Sequence, residues 1–203
     1  MLKSASIALA YTLAALMTAV VAQAKDVKFG DIEGWSVTGP GDGASDFKLT
    51  DYEGGADTRI KHGGKASAFL ASKVDKPAKH GVVMQSVRSD RYCAKRIRVS
   101  AWVRTENVAE AAGLWVRVTP ADRDQTLSRA ATSLHGSADW QRSEVVLDVP
   151  AESLSILYGL YLRGRGKAWI DDMTWEVVDK SVPLAGGSEP LEPSNLDFEA
   201  HRP

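Results

Sequence analysis

The chain has 203 residues, with 25 Lys and Arg against 26 Asp and Glu and a formal net charge of −1. Near-neutrality excludes the basic excess that non-specific nucleic-acid binding needs. Cys93 is the single cysteine, which excludes an internal disulfide, so the core must be stable unaided.

The first element in chain order is a leader. Lys3 is the one charge before Lys25, Ala5 to Val21 is almost wholly apolar, and Ala22-Gln23-Ala24 offers small residues at both positions a signal peptidase reads. This pattern predicts a signal peptide over residues 1–24, cleaved after Ala24, and a periplasmic or secreted protein. As a retained anchor the run is weak, being rich in Ala and Thr where a span needs about 20 strongly apolar residues. Cleavage removes Lys3, takes the charge to −2 and leaves 179 residues, enough for one domain with a sizeable core. No later apolar stretch is long enough to span a membrane, so no stable anchor is expected after cleavage.

From Lys25 to Gly64 the sequence is rich in Gly and Asp and reads as loops with short strands, closed by the turn His62-Gly63-Gly64-Lys65. Ala66 to Ser72 suits a strand covered on both faces. Arg96 to Arg104 alternates strictly, with Ile97, Val99, Ala101 and Val103 on one face, and Leu114 to Val118 repeats the pattern. Ser143 to Val149, Ile156 to Arg163 and Lys167 to Val178 are further strands, the last entered through Gly164-Arg165-Gly166. Asn107 to Ala112 and Ala151 to Leu154 are each long enough for one helical turn and no more. Cys93 reads as a small buried residue at a strand start rather than a reactive thiol, since no histidine lies near it. Period-two alternation with Gly-bearing turns predicts an all-β fold, a single sandwich over residues 25–180. From Ser181 the composition turns to Pro, Gly, Ser and Glu, a flexible tail over 181–203. The tail closes on Asn195-Leu196-Asp197-Phe198-Glu199, which echoes Phe29 to Glu33 and is a candidate extra edge strand, vestige of a following domain or protein-docking segment.

Four stretches carry a resemblance. Tyr92 to Arg104 resembles a strand of the form Y-x-G-K-x-Y-x-x-S-A-W-V-K. Asp139-Trp140-Gln141 leading to Val145 through Pro150 is similar to x-W-x-x-Y…F-x-V-P. Trp169-Ile170-Asp171-Asp172-Met173 is similar to Y-I-D-D-V, and Gly63 to Leu70 loosely matches H-x-G-x-x-S-L-x-L. Together, over about Phe29 to Asp179, they resemble the jelly-roll carbohydrate-binding modules of the galactose-binding-like superfamily. The resemblance implies a jelly-roll β-sandwich. It also implies a structural Ca2+ held by carboxylates of the first and last strands, here Glu33, Asp171 and Asp172. The alternative for the two aspartates is one facing solvent and one capping a turn.

The alternation assigns faces. With Ile97 to Val103 in the core, Trp102 and Arg104 point outward, as do Trp115 and Arg117 opposite Leu114 and Val116, and Tyr161 and Arg163 opposite Leu160 and Leu162. If the three strands are neighbours, Trp102, Trp115 and Tyr161 interleave with Arg104, Arg117 and Arg163 on one sheet face. Flat rings stack on sugars, and guanidinium groups donate to hydroxyls or carboxylates, so an anionic glycan falls within reach. The opposite register would bury Arg98, Arg104 and Arg117 without partners, at several kcal/mol each.

Catalytic signals are absent from the sequence. His62, His80, His135 and His201 show no metal-ligand spacing, and no nucleophile elbow, phosphate loop or dinucleotide fingerprint occurs. Asp122, Asp124 and Glu144 are available for glycoside hydrolysis, but nothing in their spacing singles them out. The expected function is an exported, non-catalytic module that binds carbohydrate. The alternatives are a structural or protein-interaction domain of the cell envelope and, behind it, a glycan hydrolase.

Overall fold

Alternating strands with one apolar face must bury that face, and here two layers do so against each other. The computed structural model describes residues 27–28, 34–38, 51–122 and 126–185. The leader, Glu33, Asp124, His201 and the Asn195–Glu199 patch lie outside the described residues. Ten strands are present in the described residues: β1 (Val27–Lys28), β2 (Ser36–Thr38), β3 (Tyr52–Asp57), β4 (Ser67–Ser72), β5 (Gly81–Arg88), β6 (Arg96–Pro120), β7 (Leu127–Ala130), β8 (Leu134–Asp148), β9 (Ser153–Arg163) and β10 (Lys167–Val178). All pairings are antiparallel. The fold is an all-β jelly-roll sandwich.

The 25-residue β6 organises both layers. Its first half pairs with β10 and β8, and β10 continues through β4 and β3 to β1. Its second half pairs with β9 and β7, and β9 continues through β5 to β2. Buried aliphatic residues in the first half are odd-numbered, Ile97, Val99 and Val103, whereas in the second half they are even-numbered, Leu114, Val116 and Val118. The parity changes around Asn107, whose φ of 52° is a left-handed conformation that Asn tolerates better than most residues. The strand thereby leaves one layer and enters the other while keeping its apolar side inward.

The expected helical turn over Asn107–Ala112 is therefore strand, with Val108 opposite Gly136 and Ala112 opposite Leu134. Residues 151 and 152 form a bend and β9 begins at Ser153, so the second expected helical turn is replaced as well. β5 has no counterpart among the sequence-predicted strands. Val82 and Val83 are both buried, so its apolar residues run together instead of alternating. Cys93 is half-buried in the turn before β6, with Sγ 3.8 Å from the Ser153 carbonyl oxygen.

One core cluster joins Leu70, Ile97, Val99, Val103, Ala168 and Ile170 from the first layer to Val83, Leu114, Val116, Ile156, Leu160 and Leu162 from the second. Tyr52 ties the end of the sandwich, donating from its hydroxyl to the carbonyls of Lys79 (2.8 Å) and Gly164 (3.2 Å). Burial, with Glu110 and Asp51 nearby, pushes this phenol up to about 12. After β10 the chain turns back along β8. Arg96 Nη1 donates to the carbonyls of Lys180 and Val182, and the Ala185 amide donates to the Val146 carbonyl.

Candidate functional site: two outer faces of unequal character

On the outer face of the first layer, Trp102 lies opposite Asp171 on β10 and Arg142 on β8, and Arg104 lies opposite Trp169. This surface is filled by the protein itself. The His62 ring stacks on Trp102 at 4.2 Å between centroids, 13° from parallel, and meets Trp140 edge-on at 5.8 Å. His62 is pinned in turn: its amide donates to Asp171 Oδ2 (2.7 Å) and its Nδ1 lies 2.6 Å from Asp172 Oδ2. Beside it, Phe69, Ala71 and Trp169 form a second apolar cluster with Ile60 and Trp140 against it, and Lys167 Nζ sits over the Phe69 and Trp169 rings.

Beneath this cluster Asp57 is 1% exposed. Its carboxylate accepts from Trp169 Nε1 (3.0 Å) and the amides of Arg59 (2.9 Å) and Ile60 (3.1 Å), with Lys167 Nζ at 3.6 Å. Burial opposes ionisation, but these donors outweigh it and hold the carboxyl below the usual carboxylate range. The arginines of this face are likewise matched: Arg96 to Asp148, Arg98 to Glu176, Arg104 to Asp139 and Arg142 to Glu144.

The outer face of the second layer is built differently. Trp115 on β6 lies opposite Gly159 on β9 and Ala130 on β7, and Tyr161 on β9 lies opposite Gly113 on β6 and Val82 on β5. Each half-buried ring thus faces a glycine across the strand pair. A Cβ at Gly113 would come 3.3 Å from Tyr161 Cε1, and at Gly159 (φ 155°) it would come 1.8 Å from the Val83 carbonyl oxygen. The missing side chain at Gly113 lets the Tyr161 ring lie low on the sheet, and Trp115 and Tyr161 are diagonal neighbours, with Cα atoms about 7–8 Å apart. The Trp115 Nε1 is buried without a hydrogen-bond partner among the described residues, although the residue as a whole is only half-buried. Tyr161 Oη lies 2.6 Å from Ser133 Oγ. Arg117 and Arg163, both exposed, extend the row beyond the two rings. At the Arg163 end, burial and then the Arg163 charge push the His80 imidazole below its ordinary range.

The expected single face is thus two. Trp102 and Arg104 occupy one outer surface, while Trp115, Arg117, Tyr161 and Arg163 occupy the opposite one, because β6 changes layers between Trp102 and Trp115. All three aromatic side chains do face away from the shared aliphatic core. The sequence missed His62, Trp140, Gly113 and Gly159. The turn carrying His62 had a compositional signal, but its position over Trp102 depends on a contact between distant parts of the chain.

For calcium, Glu33 lies outside the described residues. Asp171 Oδ2 is taken by the amides of His62 and Gly63, Asp171 Oδ1 by the Asp172 amide, and Asp172 Oδ2 by His62 Nδ1. Three of the four carboxylate oxygens of this pair thus lie against nitrogens of the chain. Among the described residues no group of three His, Cys, Asp or Glu is placed to hold a metal. Asp172 has φ 45° and, with Asp171, Ser67, Ile170, Met173 and Trp35, lines a cleft of 370 Å³ at the layer edge.

No family model matches the chain. It is 37% identical over 155 residues to the uncharacterized HTH-type transcriptional regulator YbfP of Bacillus subtilis (strain 168); the match takes in 73% of this chain and 52% of that protein, so the chain spans about half the length of this relative. Among solved structures, the xylan-binding domain from carbohydrate-binding module family 22 matches at TM-score 0.54 and 11% identity over 75% of this chain and 92% of that one. The CBM22-1 and GH10 modules of Clostridium thermocellum xylanase 10B, complexed with xylohexaose, match at 0.54 and 12% over 75% of this chain and 27% of that one. The enzymatically active domain of tailspike protein 4 of bacteriophage CBA120 matches at 0.51 and 13% over 74% and 20%. Identities this low speak for the fold alone. The chain has a jelly-roll β-sandwich fold like that of the family 22 carbohydrate-binding modules.

Proposed function

We propose that the protein is a non-catalytic module that binds a carbohydrate chain on the outer face of its second layer, through Trp115 and Tyr161. One observation carries this reading: two half-buried aromatic residues, each opposite a glycine, are diagonal neighbours on one outer face of the sandwich. Such a surface suits the flat, partly apolar faces of sugar rings, while Ser133, Arg117 and Arg163 supply hydrogen-bonding groups at its edges. The likeness to xylan-binding modules supports the same use of the fold. Trp102, stacked beneath His62, is a packing residue. The leader pattern supports export, to a periplasm or to the medium, and N-terminal sequencing of the protein from culture should then begin at Lys25.

Tryptophan fluorescence during titration with oligosaccharides tests the site. The emission should shift with a binding sugar, retain the shift in Trp102→Ala and lose it in Trp115→Ala. A shift that survives Trp115→Ala would place the ligand elsewhere.

The curated relative favours a second reading, in which the sandwich is an interaction unit of a larger assembly, of the envelope or of a regulator. Concentration-dependent self-association, or a stable complex, that Trp115→Ala disrupts without any glycan present would support it.

A further inference from the structure

We infer that the glycan of the second outer face is acidic, a polymer whose pyranose rings carry carboxylates, with Arg117 as the residue that recognises the charge. The inference rests on the placement of sugar binding at Trp115 and Tyr161 and names the ligand class for it.

The two strands at the centre of this face each carry an aromatic residue followed two positions later by an arginine: Trp115-Val116-Arg117 on β6 and Tyr161-Leu162-Arg163 on β9. The strands are antiparallel, with Trp115 opposite Gly159 and Gly113 opposite Tyr161. The order across the face is therefore Arg117, Trp115, Tyr161, Arg163, with the rings in the middle and a cation at each end. Residues two apart on a strand are about 6.7 Å apart, so a pyranose stacked on Trp115 can direct a ring carboxylate to the Arg117 guanidinium, whose planar fork donates to such a group bidentately.

The charge balance separates this face from its opposite. On the first layer Arg96, Arg98, Arg104 and Arg142 each meet a carboxylate of the same face. On the second layer the outward positions of β5, β9, β6 and β7 include no Asp or Glu. Arg117 has Leu157 and Ser128 as its cross-strand neighbours and no carboxylate partner among the described residues. Arg163 is 3.7 Å from Glu110, both of them more than half exposed, a contact that water screens heavily. Arg88 is held by Asp90 at the strand end. A cation left unmatched beside two stacking rings complements an anionic sugar better than a neutral one, because hydrogen bonds between two charged groups are the stronger.

Affinity electrophoresis of the chain through gels containing de-esterified polygalacturonate, its fully methyl-esterified form, neutral xylan, or dextran sulfate tests this directly. The first two share one backbone and differ in carboxylate charge. The expected result is about ten-fold tighter retention by the de-esterified polymer than by its ester, falling as salt rises and abolished in Arg117→Gln. Arg117→Gln should melt at the wild-type temperature, since Arg117 is exposed, which separates loss of the charge contact from loss of the fold. Equal retention by both forms, or an acid preference untouched by Arg117→Gln, would overturn the inference while leaving sugar binding intact. Retention by dextran sulfate equal to that by polygalacturonate would overturn it in favour of unspecific attraction to polyanions. Free migration through every gel would overturn both the ligand class and the binding site.

Discussion

The two outer faces of the sandwich use the same kinds of residue, outward tryptophans interleaved with arginines, to opposite ends. On the first layer the chain supplies the partners: His62 covers Trp102, Asp57 holds Trp169, and Arg98 and Arg104 each meet a carboxylate through a terminal nitrogen, while their Nε atoms are buried without a partner among the described residues. On the second, glycines stand opposite Trp115 and Tyr161, and Arg117 has no partner among the described residues. Residue type alone therefore does not distinguish a packed surface from a binding one. What distinguishes them is whether the rest of the chain has already supplied the complementary group.

Substitutions on each face should separate affinity from stability. The largest effect on binding is expected from Trp115→Ala, a loss of about 30-fold or more in glycan affinity, or ~2 kcal/mol, by titration calorimetry, with little change in melting temperature. The largest effect on stability is expected from Asp57→Ala, which strands Trp169 Nε1 and Lys167 and should cost about 3 kcal/mol in denaturant unfolding, with affinity of the remaining folded protein unchanged. A smaller effect is expected from Gly113→Ala. The new Cβ, 3.3 Å from Tyr161 Cε1, lifts that ring and should weaken binding a few-fold for a stability change within about 1 kcal/mol.

The mildest test uses pH. The Asp57 carboxyl is held below its ordinary value in the folded state, as is Asp148, chiefly by its hydrogen bond to Arg96. A depressed folded value means the contribution is complete above the unfolded pKa, about 3.9, and is lost as pH falls through the folded one. Thermal stability should hold from neutrality down to about pH 5 and decline below about pH 4. Asp57→Asn should flatten that decline.

Much of the fold was legible because alternation is a local signal. Ile97 to Val103, Leu114 to Val118 and Lys167 to Val178 read correctly as strands, and the orientation of Trp102, Trp115 and Tyr161 away from the core followed from the cost of burying arginines. What alternation does not report is which strands are neighbours. The change of buried parity between Val103 and Leu114 was present in the sequence, and it marks the point where β6 changes layers. Read as a possible helical turn, that stretch concealed the separation of Trp102 from Trp115. The cover over Trp102 was invisible for a different reason, since it comes from a turn some forty residues upstream, held by Asp171 and Asp172 of the last strand.

The most direct measurement is a side-by-side comparison of Trp115→Ala and Trp102→Ala by affinity electrophoresis against a panel of neutral and acidic polysaccharides, with melting temperatures recorded for both. Binding on the second layer predicts that Trp115→Ala migrates freely while folded and that Trp102→Ala is retarded like the wild type but melts lower. Retardation kept in Trp115→Ala and lost in a folded Trp102→Ala would contradict it and move the site to the opposite face.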